Sequence, residues 1–229
     1  EMSFAMIESE ELKKNSEDGL MEVQRMVTPL CKQGIEIKTI SDFGFLGQRI
    51  NEIAEQENAD LIVMGITGGG KLEQMLIGSN TISVMHHTKI PLLIVPPKIQ
   101  WQAIKKIAWA CDYHNIKKTT PINFIHQLLK LSHAELHVIH NDPHYKYPDP
   151  ELIFENVELS ELFKQEKPIF SLLEEKDFTE SVNHYIDKNK IDWLIIVPKK
   201  HGWISGIFTP GHTKQMAFHT HVPMLCLQQ

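Results

Sequence analysis

A glycine-rich loop is the part of this sequence best suited to bind a phosphate group. Gly65 ends an apolar run, Gly68–Gly70 form a flexible turn, and Gly78 precedes a helix predicted to begin at Ser79 and Asn80. Glycine permits the backbone conformations and the close approach that a phosphate requires. The first turn of a helix adds unpaired N–H groups and the positive end of the helix dipole. The spacing therefore predicts a phosphate site.

The same residues permit two other interpretations. The glycines could simply connect a strand to a helix, as loop glycines often do. Gly65 and Lys71 also bound the G-x4-G-K pattern that begins a P-loop, but Leu72 stands where that motif needs Ser or Thr to hold magnesium. The P-loop interpretation is therefore disfavoured.

Two groups of histidines could supply metal ligands. His140, Asp142 and His144 form an H-x-D-x-H cluster after one apolar run, and His219 and His221 precede the last run. Imidazole suits zinc, but neither group has a third ligand at a usual spacing. We expect no metal site at either place.

No catalytic constellation accompanies the loop. Ser79 has no His or Asp base at a recognisable spacing, and no pair of carboxylates marks a hydrolytic water. The residues that stand out bind phosphate rather than cleave it, so we expect no catalytic residue and at most a slow ATPase.

The composition excludes several classes of protein. The 23 Lys and Arg against 29 Asp and Glu give a net charge of −6, without a basic run that would favour nucleic acid. No apolar stretch approaches 18 residues and the first twenty residues are acidic, so neither a membrane span nor a secretory signal is expected. The three cysteines are scattered, as is typical of a reducing cytoplasm.

The chain repeats itself at an offset of 132 residues. Asp60–Pro91 aligns with Asp192–Pro223 without a gap, placing His87 on His219 and Thr88 on Thr220. The period is far longer than that of solenoid repeats, so each copy is expected to be a domain with its own core. The repeated His87 and His219 suggest a structural role in a turn.

Apolar runs alternate with amphipathic segments along the chain, which predicts an α/β fold with doubly wound parallel sheets. Predicted helices lie at 18–33, 46–58, 119–131 and 179–186; another begins within 78–81 and runs to about residue 87, and a further one follows Pro150 and ends near Lys167. Predicted strands lie at 35–42, 60–65, 91–97, 104–111, 135–140, 168–175, 192–197 and 223–227. Residues 3–8 fit either a strand end or a helix. By the repeat, the first copy is expected to lack about thirty residues of its N-terminal part.

The loop resembles that of the ATP-binding universal stress proteins. Its glycines and serine reproduce the G-x2-G-x9-G-[ST] signature, and DLIVMG, TKIPLLIVPP and IAWACD add to the resemblance. The resemblance implies two tandem Rossmann-like, adenine nucleotide alpha hydrolase-like domains at 1–98 and 99–229. It further implies that ATP, with magnesium, binds in the first domain. The residues implied to bind it are Gly65, Thr67, Gly68, Gly78, Ser79 and Asn80.

The second copy departs from that signature. Val197, Lys200 and Pro210 replace its three glycines, although Asp112 matches the family's base-binding Asp. Proline has no N–H to donate, so the second copy is not expected to bind ATP in the family manner. Lys200 and its neighbours could still attract an anion, although a solvated loop is the simpler interpretation.

The resemblance also implies partners. The family's last strands pair across a dimer axis, so Pro91–Pro97 and Pro223–Leu227 are expected to pair within this chain as a pseudo-dimer, and two chains could form a homodimer. The leading hypothesis is a cytoplasmic, nucleotide-binding stress-response protein that acts as a switch for an unknown protein partner. The alternatives are a nucleotide-independent dimerisation scaffold and a slow ATPase.

Overall fold

A computed structural model describes residues 2–65, 79–113, 115–141, 150–197 and 221–228. The chain divides into two compact units, an N-terminal segment at Glu1–Phe45 and a main body at Leu46–Gln229.

The N-terminal segment is a long helix followed by an extended stretch. Helix α1 spans Met2–Val27, so residues 3–8 are helical, and the 3-10 helix Thr28–Leu30 ends it at a proline. The predicted strand at 35–42 is wrong, because these residues have no strand partner within the described part of the segment. Instead, the stretch is bound to α1, where Gln24 Nε2 donates to the Ile37 carbonyl at 3.1 Å.

The main body contains one seven-stranded sheet in the order β1-β2-β7-β6-β3-β4-β5. All neighbouring strands are parallel except β2 and β7, which are antiparallel. The strands are β1 Ile62–Gly65, β2 Leu92–Val95, β3 Lys106–Ala110, β4 Glu135–Asn141, β5 Ile169–Leu173, β6 Trp193–Ile196 and β7 Met224–Cys226.

Helices accompany these strands along the chain, which confirms the predicted α/β class. They are α2 Leu46–Gln56, α3 Ser79–His87, α4 Ile116–Thr119, α5 Ile122–Ser132, α6 Pro150–Leu162 and α7 Phe178–Asn189. The helix predicted at 119–131 is α5, which begins after Pro121, because proline lacks an N–H and disfavours helical backbone at the preceding residue; the separate short helix α4 ends at Thr119.

Alternate residues of the strands contribute to two separate cores. Leu92 and Ile94 belong to one cluster, whereas Leu93, between them, belongs to the other. The same alternation places Leu225 in the second cluster and its neighbour Cys226 in the first. Both faces of the sheet are therefore covered, as a largely parallel sheet requires.

The repeat found in the sequence reappears in the strand register. Ile62 is paired with Leu92 in the first copy, and Leu194 is paired with Met224 in the second, each 132 residues further on. Helices α2 and α7 begin at the same offset. The expected pairing of the last strands is confirmed by β2 and β7. The division between residues 98 and 99 stays a prediction, because the sheet continues from β2 into β7.

Candidate nucleotide site

The candidate site lies in the β1–α3–β2 unit. Gly65 is the last residue of β1, and a side chain built there would meet no atom of the described residues within 4 Å. Because β1 and β2 are parallel, the helix between them must return antiparallel to the strands. Its N-terminus at Ser79 therefore lies at the edge where β1 ends, which is where ligands bind in open α/β sheets.

The packing of α3 fixes the direction of that N-terminus. Thr81, Val84 and Met85 are buried, whereas Asn80 is exposed. Helix α2 approaches α3 so closely at Gly47 that a Cβ there would lie 2.3 Å from Ser83 Oγ and 2.8 Å from the Ser83 backbone. The N-terminus of α3 therefore belongs to a closely packed pair of helices.

The C-terminal end of α3 is also held. The His87 ring donates from Nδ1 to the Ser83 carbonyl at 2.7 Å, and Gln228 Nε2 donates to the Met85 carbonyl at 2.9 Å. Thr88, which is buried, accepts at Oγ1 from the Ile90 N–H at 2.9 Å. These contacts give His87 and Thr88 the structural role in the turn that their repetition suggests.

The corresponding edge of the second copy is filled by its own side chains. Asp112 follows β3 and is only 2% exposed, and Tyr113 next to it has a φ of 58°. The His140 ring donates from Nδ1 to the Cys111 carbonyl at 2.8 Å and lies 4.9 Å from the Tyr113 ring. Burial raises the pKa of Tyr113 well above its ordinary value. Among the described residues of this edge, the Tyr113 and His140 rings thus pack against each other.

The family model for the universal stress proteins matches residues 3–96. This part of the chain is a universal stress protein domain. Universal stress protein MJ0531 of Methanocaldococcus jannaschii is 38% identical over 87 residues, which are 38% of this chain and 49% of that protein. Universal stress protein G of Escherichia coli O157:H7 is 34% identical over 86 residues, 38% of this chain and 58% of that protein. The chain thus spans about half the length of the curated relatives it matches.

One solved structure extends the likeness across the sheet. The universal stress protein from Archaeoglobus fulgidus DSM 4304 superposes with a TM-score of 0.71 at 19% identity, covering 96% of this chain and 80% of that one. At this identity the likeness concerns the fold alone, and it agrees with the Rossmann-like fold expected from the sequence.

Three of the predicted binding residues of the universal stress protein domain fall within the described residues. Gly65 and the backbone of Ser79 lie at the same sheet edge, with Asn80 in the first turn of α3. The remaining three lie outside the described residues and stay predictions; they are Thr67, Gly68 and Gly78.

Two histidines of the candidate metal groups make contacts within the fold. His140 is bound to the Cys111 carbonyl, and His221 Nε2 lies 2.9 Å from Asp187 Oδ1. Within the described ranges, no group of three or more His, Cys, Asp or Glu side chains could hold a metal ion. Asp142, His144 and His219 lie outside those ranges.

Two residues at the second edge were not anticipated from the sequence. Asn141 is 9% exposed and donates from Nδ2 to the Glu175 carbonyl at 3.2 Å, and Tyr113 packs on His140. The sequence feature that could have indicated these residues is a polar residue at the end of each strand.

Among the described helices, none is long and apolar enough to span a membrane.

Proposed function

We propose that this protein binds an adenine nucleotide, ATP with magnesium, through the loop from Gly65 to Asn80 of its universal stress protein domain. The bound nucleotide then switches the association of this protein with a protein partner in a stress response. The free thiols of Cys31, Cys111 and Cys226 support the proposal that it acts in the reducing cytoplasm.

The main observation in favour is where α3 begins. The helix starts at Ser79, immediately after the last glycine of the G-x2-G-x9-G-[ST] signature, at the edge where β1 ends in Gly65. Unpaired N–H groups and the helix dipole at that position favour a phosphate oxygen. No described residue comes within 4 Å of a side chain built at Gly65, which would let the phosphate chain approach the backbone.

The experiment is a thermal melt of the protein with and without millimolar ATP and magnesium. Ligand binding to the folded state alone stabilises by about 2.7 kcal/mol at a hundredfold excess over Kd, which raises the Tm of a protein of this size by about 5–10 °C. Gly78→Val should abolish the rise, because a branched side chain occupies the position where the phosphate must approach.

Gly202→Val provides the matched control, since Gly202 is a glycine in the corresponding loop of the second copy. This variant should keep the full rise in Tm. An equal rise in Tm in Gly78→Val and Gly202→Val would show that the loop of the first copy does not bind the nucleotide.

The nucleotide-independent scaffold is a second candidate, favoured by one observation. The antiparallel pairing of β2 with β7 joins the two copies as a pseudo-dimer within one chain. Under this hypothesis ATP does not change the oligomeric state. The molecular mass measured by light scattering, whether that of a monomer or of a homodimer, is then the same with and without ATP and the same in Gly78→Val. A mass that depends on ATP in the parent protein, and not in the variant, would instead support the switch.

A further inference from the structure

Four side chains of the second copy form a continuous hydrogen-bonded series across three elements. His137 of β4 contacts Glu135 Oε1 through Nε2 at 2.7 Å and the Tyr185 hydroxyl of α7 through Nδ1 at 2.8 Å. The Tyr185 hydroxyl in turn lies 2.9 Å from Ser171 Oγ of β5. We call these four residues the relay.

The relay is buried at its centre and reaches partly exposed side chains at both ends, since Tyr185 and Ser171 are half-buried. The Glu135 side chain is 46% exposed, whereas the His137 side chain is only 3% exposed. The Tyr185 ring packs edge-on against the imidazole, with ring centroids 5.9 Å apart. The imidazole therefore lies between relay partners that are each more exposed than it is.

Each donor in the relay is fixed by the acceptor it meets. An ionised carboxylate only accepts hydrogen bonds, so a neutral His137 must carry its proton on Nε2. Nδ1 then accepts from the Tyr185 hydroxyl, and the Tyr185 oxygen accepts from Ser171. Lys106 of β3 supports the negative charge, since its Nζ lies 3.5 Å from Glu135 Oε1.

We propose that uptake of a proton by His137 reverses the direction of the relay and thereby makes the contact of β5 and α7 with β4 sensitive to pH. In the imidazolium both nitrogens donate, so Tyr185 must accept from Nδ1 and turn its own hydroxyl hydrogen toward Ser171. Ser171 changes from donor to acceptor. The added proton comes from solvent, and no covalent bond between heavy atoms changes.

The charged and titratable groups around the ring are consistent with this reversal. Those in described contact with the relay are Glu135 on β4, Lys106 on β3 and Tyr185 on α7. The hydrogen bond from His137, assisted by Lys106, lowers the pKa of Glu135, so the carboxylate is ionised at neutral pH.

The relay is specific to the second copy. Since α2 begins at Leu46 and α7 at Phe178, Ile53 occupies the first-copy position of Tyr185. By the same offset, Thr39 corresponds to Ser171. Isoleucine cannot join a hydrogen-bonded series, so the fold does not itself require the relay.

The test is nuclear magnetic resonance on the full chain from pH 8 to pH 5, with 15N labels in the histidine rings and 13C at tyrosine Cζ. We expect His137 as the Nε2–H tautomer at pH 8, and a Tyr185 Cζ shift whose midpoint coincides with that of the His137 ring. An Nδ1–H tautomer at pH 8, or a Tyr185 resonance that stays constant while His137 titrates, would overturn the proposal.

Two variants sharpen the result. Tyr185→Phe removes the donor to Nδ1, so the ratio of Nε2–H to Nδ1–H tautomers should fall about fivefold, which corresponds to one hydrogen bond. Ser160→Ala is the control, because Ser160 Oγ donates to the Asn156 carbonyl of its own helix and lies outside the relay. An unchanged ratio in Tyr185→Phe contradicts the assigned direction.

Discussion

Leu93 of β2 lies directly opposite Leu225 of β7, and each residue is the repeat equivalent of the other. On either side, Leu92 faces Cys226 and Ile94 faces Met224. A pairing in which a residue meets its own equivalent is the signature of a two-fold relation. The two copies therefore meet about a local axis that passes through the Leu93–Leu225 pair.

The first prediction concerns that pair. Leu93 and Leu225 are 7% and 1% exposed, so Leu93→Ala and Leu225→Ala should each lower the free energy of unfolding by about 2–5 kcal/mol. Because the two side chains belong to one cluster, the double variant should depart from additivity by at least about 0.5 kcal/mol. Urea unfolding measures all three values, and Leu131→Ala at an 84% exposed site serves as the control.

The second prediction concerns the contact of α2 with α3. Gly47→Ala places a methyl group against Ser83, including its backbone, and should destabilise the protein by about 1–3 kcal/mol. Gly19→Ala in α1 meets no atom within 4 Å and should stabilise by about 0.5–1 kcal/mol, since alanine is the better helix former. Chemical denaturation measures the free energy of unfolding of both variants. Equal effects of the two substitutions would contradict the close approach of α2 to α3.

The third prediction concerns the carboxylate before β6. Asp192 accepts hydrogen bonds from Gln102 Nε2 and from the N–H groups of Lys105 and Lys106, at 2.9, 2.7 and 2.9 Å. Asp192→Ala removes their shared acceptor and should cost about 1 kcal/mol, because two of the three hydrogen bonds are exposed and their donors can bind water instead. Its repeat equivalent Asp60 is exposed, so Asp60→Ala should change stability by less than about 0.5 kcal/mol. A loss of similar size in both variants would show that the hydrogen bonds are not its cause.

The fourth prediction concerns acid. The pKa of Glu135 is lowered in the folded protein, chiefly by the hydrogen bond from His137. The carboxylate therefore stabilises the fold above its unfolded pKa, and this contribution is lost as the pH falls through the lower folded value. Because the side chain is half exposed, the contribution stays below about 1 kcal/mol.

Unfolding of Glu135→Gln between pH 7 and pH 3 checks the acid prediction. The variant should be less stable than the parent at pH 7 and should approach it at pH 3. A difference that does not change with pH would assign the effect to packing instead of charge.

Much of the main body could be predicted from sequence. The apolar runs 60–65, 192–197 and 223–227 contain β1, β6 and β7 with small errors at their ends. Strands β6 and β7 are buried throughout, whereas β1 is exposed at Val63, but all three are continuous apolar runs bounded by polar or turn residues, so local pattern alone identifies them. The pairing of β2 with β7 was implied by the resemblance to the universal stress proteins, whose last strands pair across a dimer axis, and the repeat identified the two strands concerned.

The errors have physical causes. The stretch 35–42 alternates like a strand, but a strand needs a neighbour to pair its backbone, and sequence pattern does not reveal whether one is present. The relay was not anticipated either, because His137 and Tyr185 are 48 residues apart and only the docking of α7 on β4 brings them together. Contacts of this range depend on tertiary packing, which periodicity does not encode.

The reversal of strand direction between β2 and β7 has a consequence for how the protein meets other molecules. Strands β1 and β2 end at one edge of the sheet, whereas β7, β6, β3, β4 and β5 end at the opposite edge. A molecule bound beside α3 and a molecule bound beside Asp112 would therefore lie at opposite edges of the sheet. Neither molecule would obstruct the other, and a single partner that contacted both sites would have to extend around the sheet.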